Sequence, residues 1–123
     1  MGGNSPALTL TNVGRAQDGV YSVMVTNLEG GVASSNAVLQ VLVPQRLGAP
    51  VKLSSGLLQF TSADVGGGPL SPSDLPNFEV QASADLIHWV PLPNALSLTN
   101  GMLQLQDNTL TNLPTRFYRI VEQ

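Results

Sequence analysis

The chain has 123 residues, 11% charged and 42% hydrophobic, with 5 basic against 8 acidic side chains and a net charge of −3. That length suits one domain or one and a fraction, domains commonly holding about 100–150 residues, and it permits a core without metal or disulfide support. A single lysine in an acidic chain excludes a phosphate-neutralising nucleic-acid face, and the absence of cysteine removes disulfides, thiol nucleophiles and thiolate metal sites. No apolar run reaches the ~18–20 residues of a membrane span, and no stretch has the charged-then-apolar layout of a signal peptide.

Apolar residues recur at every second position between clusters of Gly, Pro, Asn and Asp, which predicts half-buried strands and almost no helix. Residues 8–11 alternate first. Residues 20–25 follow, with Tyr21, Val23 and Val25 on one face. A turn is expected over 27–31, where Gly30 and Gly31 permit positive φ. A third strand over 38–43 stops at Pro44, which has no N–H to give a ladder. A second series then begins. Residues 56–60 set Leu58 and Phe60 against Leu57 and Gln59, and residues 78–82 alternate cleanly. Residues 88–92 form a short strand that Pro91 marks as an edge or bulge. Residues 102–106 and 116–121 complete the set. The pattern predicts an all-β chain, an antiparallel β-sandwich of about eight strands.

Two segments read as loops. Residues 44–50 have a proline at each end and no period, so the expected organisation is a first series over 1–43, a linker over 44–55 and a sandwich module over 56–123. Merger of both series into one sandwich is the alternative. Residues 64–77 contain Gly66, Gly67, Gly68, Pro69 and Pro72, too broken for a strand and long enough to mark a functional or insertion loop.

Little chemistry is available to this chain. His88 is the only histidine, so a Ser-His-Asp arrangement would have to use it with Asp85 or Asp107, and no Gly-x-Ser-x-Gly elbow is present. The acids lie mostly in turns, where aspartates bond their own backbone. Only Glu79 is mid-strand, between Phe78 and Val80, and so faces solvent. A small hydrolase of glycosidase or esterase type would need acids that converge only in the fold. Asp64, Asp74 and Asn77 bracket the glycine-rich loop and offer oxygen ligands suited to calcium, the one cofactor worth weighing, without the alternating Asp spacing of a calcium loop. No Gly-Lys-Ser/Thr follows the three glycines, so they are no phosphate cradle. Sugar recognition rests on aromatic rings with wet edges. Phe117 and Tyr118 are neighbours on one strand and face opposite sides, so one is core and the other joins Trp89 and His88 as a thin binding surface.

Residues 8–13, then Ala16 to Val23 with Asp18, Gly19 and Tyr21, then Val25, Thr26, Asn27 and Gly30 resemble the last three strands of an I-set immunoglobulin-like domain. Tyr21 matches the corner tyrosine of that family, and Val23 stands where its second cysteine usually sits, as in bacterial members without the disulfide. Asp18 lies one place closer to Tyr21 than the usual aspartate. The second series, from Phe78, Glu79, Val80, Gln81, Ala82 and Ser83 through Asp85, Leu86, Trp89 and Leu92 to Arg116, Phe117, Tyr118 and Arg119, resembles a fibronectin type III-like module that closes secreted bacterial multidomain proteins.

These resemblances imply a non-catalytic accessory or interaction module, extracellular or on the cell surface, meeting a polysaccharide or a protein surface. Carbohydrate binding is its most specific form, and a purely structural spacer is the bland one. Three immunoglobulin-like strands alone leave an apolar face to cover. Either the second series covers it, or a second copy does, in a homodimer formed by face packing or strand exchange.

Overall fold

The computed structural model describes residues 4–109 and 115–123. Residues 1–3 and 110–114, at the start of the expected 1–43 segment and within 56–123, lie outside the described residues. The chain divides into two compact units, one ending at Val41 and one spanning Leu42–Gln123. Both are built from antiparallel strands, and among the described residues the chain is all-β apart from two single 3₁₀ turns, Arg15–Gln17 and Leu75–Asn77.

In the first unit, β1 (Gly19–Tyr21) pairs with β4 (Ala37–Leu39), placing Val20 opposite Val38. Between them β2 (Met24–Asn27) and β3 (Gly30–Ala33) form a hairpin with Val25 opposite Val32. Asn27 closes that hairpin, its Oδ1 accepting from Glu29 N at 2.9 Å and Gly30 N at 3.1 Å. The turn is therefore tighter than expected, and both glycines belong to β3. The expected 20–25 strand is broken after Tyr21, because Val23 turns its N–H to Ser34 Oγ at 2.9 Å and its carbonyl to Ser34 N at 2.7 Å. The expected strand over 38–43 ends early, since Val41 N donates to the Asp18 carboxylate instead of a ladder partner. Residues 8–11 join no strand. None of residues 4–41 is buried, and Val25 and Val32 remain 68% and 75% exposed.

The second unit is a two-sheet sandwich. Its larger sheet runs β10-β11-β7-β5, where β10 is Leu96–Thr99, β11 Met102–Asp107, β7 Leu58–Asp64 and β5 Gln45–Leu47. The two-residue β6 (Val51–Lys52) also pairs with β7. Two short strands thus occupy part of the 44–55 segment expected as linker, Pro44 and Pro50 flanking them rather than excluding them. The smaller sheet runs β12-β8-β9, with β12 Phe117–Glu122, β8 Phe78–Ser83 and β9 Val90–Pro91.

Alternation decides which residues meet between these sheets. Val80 and Ala82 of β8 and Tyr118 and Ile120 of β12 pack on Leu105 of β11 and Phe60 of β7. Leu103 and Phe78 continue the core, and Leu70 of the glycine-rich loop plugs into it. That loop is therefore anchored, Leu70 N donating to Gly101 O at 2.9 Å. Strand β10 is missed by the sequence reading, although Asn100 and Gly101 signal it: their φ values of 51° and 74° form the tight connection that Asn-Gly favours. A side chain at Gly101 would meet Pro69 Cβ at 2.9 Å. Among the described residues twelve short strands replace the eight expected, because β3, β5 and β6 lack a marked alternation, β10 is missed and the expected 20–25 strand is split in two.

Candidate functional site

The segment from Ser83 to Trp89 folds on its own side chains. Ser83 Oγ accepts from Asp85 N at 3.2 Å and Leu86 N at 2.9 Å, and donates to Asp85 Oδ1 at 3.0 Å. Asp85 Oδ1 in turn accepts from Ile87 N at 2.9 Å and His88 N at 2.8 Å. These bonds hold Leu86 at φ 65°, a left-handed conformation unusual for a large side chain. Trp89 Nε1 then donates to Leu86 O at 3.2 Å, so the Ser-x-Asp-Leu-x-x-Trp spacing is the spacing of a self-capping turn.

His88 Nδ1 lies 2.6 Å from Asp85 Oδ2, with the imidazole 82% exposed. The His88 hydrogen bond, followed by the N–H groups of His88 and Ile87, holds the Asp85 carboxyl far below its usual value. The same bond, and then the Asp85 charge, raises His88. Ser83, Asp85 and His88 have the inventory of a hydrolytic triad without its order. Ser83 is only 5% exposed and its hydroxyl donates to the aspartate rather than to histidine, so the imidazole is not set to remove its proton.

The outer face of the smaller sheet carries a row of planar polar groups. Register places Arg119 of β12 opposite Gln81 of β8, and Gln81 opposite Pro91 of β9. The Arg119 guanidinium lies over the Trp89 ring, 4.3 Å from its centroid, and its Nε donates to Gln81 Oε1 at 2.7 Å. Gln81 Nε2 donates onward to Glu79 Oε1. Phe117, one alternation from Arg119, shares this face and is half-buried. Trp89, His88 and Phe117 thus lie at or beside this surface.

Tyr118 does not. It faces inward, its ring centroid 4.8 Å from that of Phe60, and its hydroxyl donates to Asp107 Oδ2 at 2.8 Å. Its place among the candidate binding residues is corrected to the core. Arg116 likewise turns inward, its Nε 3.1 Å from Asp107 Oδ2. Burial alone would raise the Asp107 carboxyl, but bonds from Thr109 and Tyr118 and the Arg116 charge outweigh it and hold the group below its usual value. Burial, then the hydrogen bond to Asp107, pushes the Tyr118 phenol well above its usual range. No sequence pattern marks this network, because its members meet only when the two sheets face each other.

The calcium candidates are separately engaged. Asp64 is buried and its Oδ1 accepts from Gln45 Nε2 at 2.5 Å, Ser62 Oγ donating to the same glutamine's Oε1 at 2.9 Å. Asp74 closes its own loop through Ser71 N and Ser71 Oγ, both at 2.7 Å. Asn77 ends the 3₁₀ turn, its N–H bonded to Asp74 O at 3.0 Å. Among the described residues no three His, Cys, Asp or Glu side chains group as a metal site, and no helix is long and apolar enough to cross a membrane. No family model, curated protein or solved structure matches the chain.

Proposed function

We propose that this chain is a non-catalytic accessory or interaction module of a secreted bacterial multidomain protein, and that its ligand is a polysaccharide. The observation that carries the reading is the row Glu79, Gln81, Arg119 and Trp89 on the outer sheet face, linked by hydrogen bonds and by the stack of the guanidinium on the indole. Sugars offer the matching chemistry, hydroxyl edges for the polar groups and C–H faces for aromatic rings. Against catalysis stand the single imidazole tied to Asp85 and the buried Ser83 hydroxyl, which is bonded to that same carboxylate. The immunoglobulin-like reading of the first unit is supported by Tyr21, whose hydroxyl donates to Gln17 O at 2.6 Å, a tyrosine reaching back to the chain a few residues upstream.

The test is affinity electrophoresis of the chain through gels containing acidic and neutral polysaccharides. Retardation in at least one gel is the expected result, and free migration in all of them overturns the reading. A chromogenic glycoside and ester panel should give no turnover. Turnover lost in His88→Ala would replace this reading with a hydrolase.

A further inference from the structure

We propose that the outer face of the smaller sheet takes a carboxylate, presented by an acidic saccharide of the uronic-acid class; the inference rests on the polysaccharide reading above and names the class of sugar. Its basis is the contrast between two neighbouring arginines. Arg116 is satisfied inside the fold by Asp107 at 3.1 Å and by the Thr109 hydroxyl at 2.9 Å. Arg119 is exposed and has no carboxylate against it among the described residues. Its guanidinium is nonetheless fixed, by the stack on Trp89 at 4.3 Å and by one bond from Nε to Gln81 at 2.7 Å.

Those two contacts use the ring face and the Nε edge and leave the outer Nη edge, which is the paired donor edge that a carboxylate accepts in two parallel bonds. A fork held in place before binding loses little side-chain freedom when the ligand arrives. Gln81 is itself oriented, since Glu79 receives its Nε2 and so turns its Oε1 toward Arg119.

The neighbours set the direction of approach. Opposed pairs in register place Phe117 with Ser83, Arg119 with Gln81, and Val121 with Glu79, so Arg119 has an aromatic row on one side and a carboxylate row on the other. An anionic sugar is repelled from the Glu79 side and settles toward Phe117, whose exposed part offers an apolar seat for the pyranose ring. At the Trp89 edge a peptide carboxylate is the poorer fit. The edge strand on the Trp89 side is the two-residue β9, and Pro91 removes one of its two N–H donors, so a peptide gains no strand ladder there.

Trp89 is the only tryptophan, so its emission reports directly on this surface. The probes are trigalacturonate, the neutral trisaccharide maltotriose, and an acetylated tripeptide with a free C-terminal carboxylate. Trigalacturonate is expected to change Trp89 emission saturably, and Arg119→Lys, which keeps the charge but loses the fork, to weaken binding about tenfold. Gln81→Leu should weaken it about threefold by releasing the guanidinium from its brace. Thermal melts establish that each variant is folded, and Gln81→Leu keeps the test alive should Arg119→Lys not fold. Equal response to maltotriose overturns the carboxylate and leaves the polysaccharide reading standing. Equal response to the tripeptide overturns the saccharide. No response to any probe, with free migration in every polysaccharide gel, overturns both.

Discussion

Arg116 Nε lies 3.1 Å from Asp107 Oδ2, and the carboxylate it meets is wholly buried, at 0% exposure. Tyr118 donates to the same Oδ2 from the opposite sheet, and Thr109 supplies its N–H at 2.8 Å and its hydroxyl at 2.7 Å to Oδ1. Asp107 ends β11 of the larger sheet and Tyr118 lies in β12 of the smaller one. The cluster is therefore a polar clasp beside the apolar packing of Val80, Ala82, Leu105 and Phe60 between the two sheets.

Asp107→Ala should destabilise the second unit by about 3 kcal/mol, because it strands Arg116 and the Tyr118 hydroxyl. Tyr118→Phe should cost about 1 kcal/mol, one hydrogen bond to a charged group less the phenol's desolvation. Urea unfolding measures both. A loss in Asp107→Ala no larger than that in Tyr118→Phe contradicts the clasp. The Asp107 carboxyl is held below its ordinary value in the folded state. Its contribution is therefore present above the unfolded carboxyl value of about 3.9 and is lost as pH falls through the lower folded value. Asp107→Asn should accordingly flatten the acid limb of stability against pH.

His88 should titrate by NMR above the ordinary imidazole value of about 6.5, since Asp85 favours its charged form. The sign follows from the raised value. Any stability it gives is complete below the unfolded imidazole value and is lost as pH rises through the folded one. Asp85→Asn should bring the midpoint back toward about 6.5. An unchanged midpoint in that variant would show that the 2.6 Å contact does not govern the proton.

Leu86 adopts φ 65° with its side chain exposed. A left-handed conformation costs a non-glycine residue roughly 1–2 kcal/mol, which glycine does not incur. Leu86→Gly should therefore be neutral or stabilising, whereas Ile87→Gly, one residue on, should destabilise by about 0.5–1 kcal/mol. Equal losses in the two thermal melts would remove strain from the account of this turn.

Amide exchange should separate the two units. Ser34 N–H bonds Val23 O at 2.7 Å and Leu92 N–H bonds Val80 O at 2.9 Å, so bond length alone predicts no difference. Only the second is backed by a core, Leu92 packing with Val80, Ala82 and Leu105. Hydrogens of β1–β4 should exchange at least about a hundredfold faster than those of β7, β8 and β11. Equal protection across both units would contradict the lack of any buried residue over 4–41.

The all-β architecture was legible in the sequence because alternation is a local property, set by the two-residue period of the pleat. Residues 78–82 and 102–106 read as strands for that reason, and the fold extends each by one residue, to Ser83 and Asp107. The Asn100-Gly101 turn is an equally local signal, and it announces β10. Breaks at Ser22 and after Leu39 were not legible, because Ser34 and Asp18, which cause them, are distant in sequence.

The site divides along the same line. Trp89 and His88 stood out by type, and the Ser83–Asp85 spacing fixed their turn through bonds spanning two or three residues. Which of Phe117 and Tyr118 faces outward, and which arginine is spent on Asp107, were decided only by the pairing of β12 with β8 and the approach of the second sheet. A strand's period states that two neighbours point apart. Only the sheet packed against one face determines which of them loses its water.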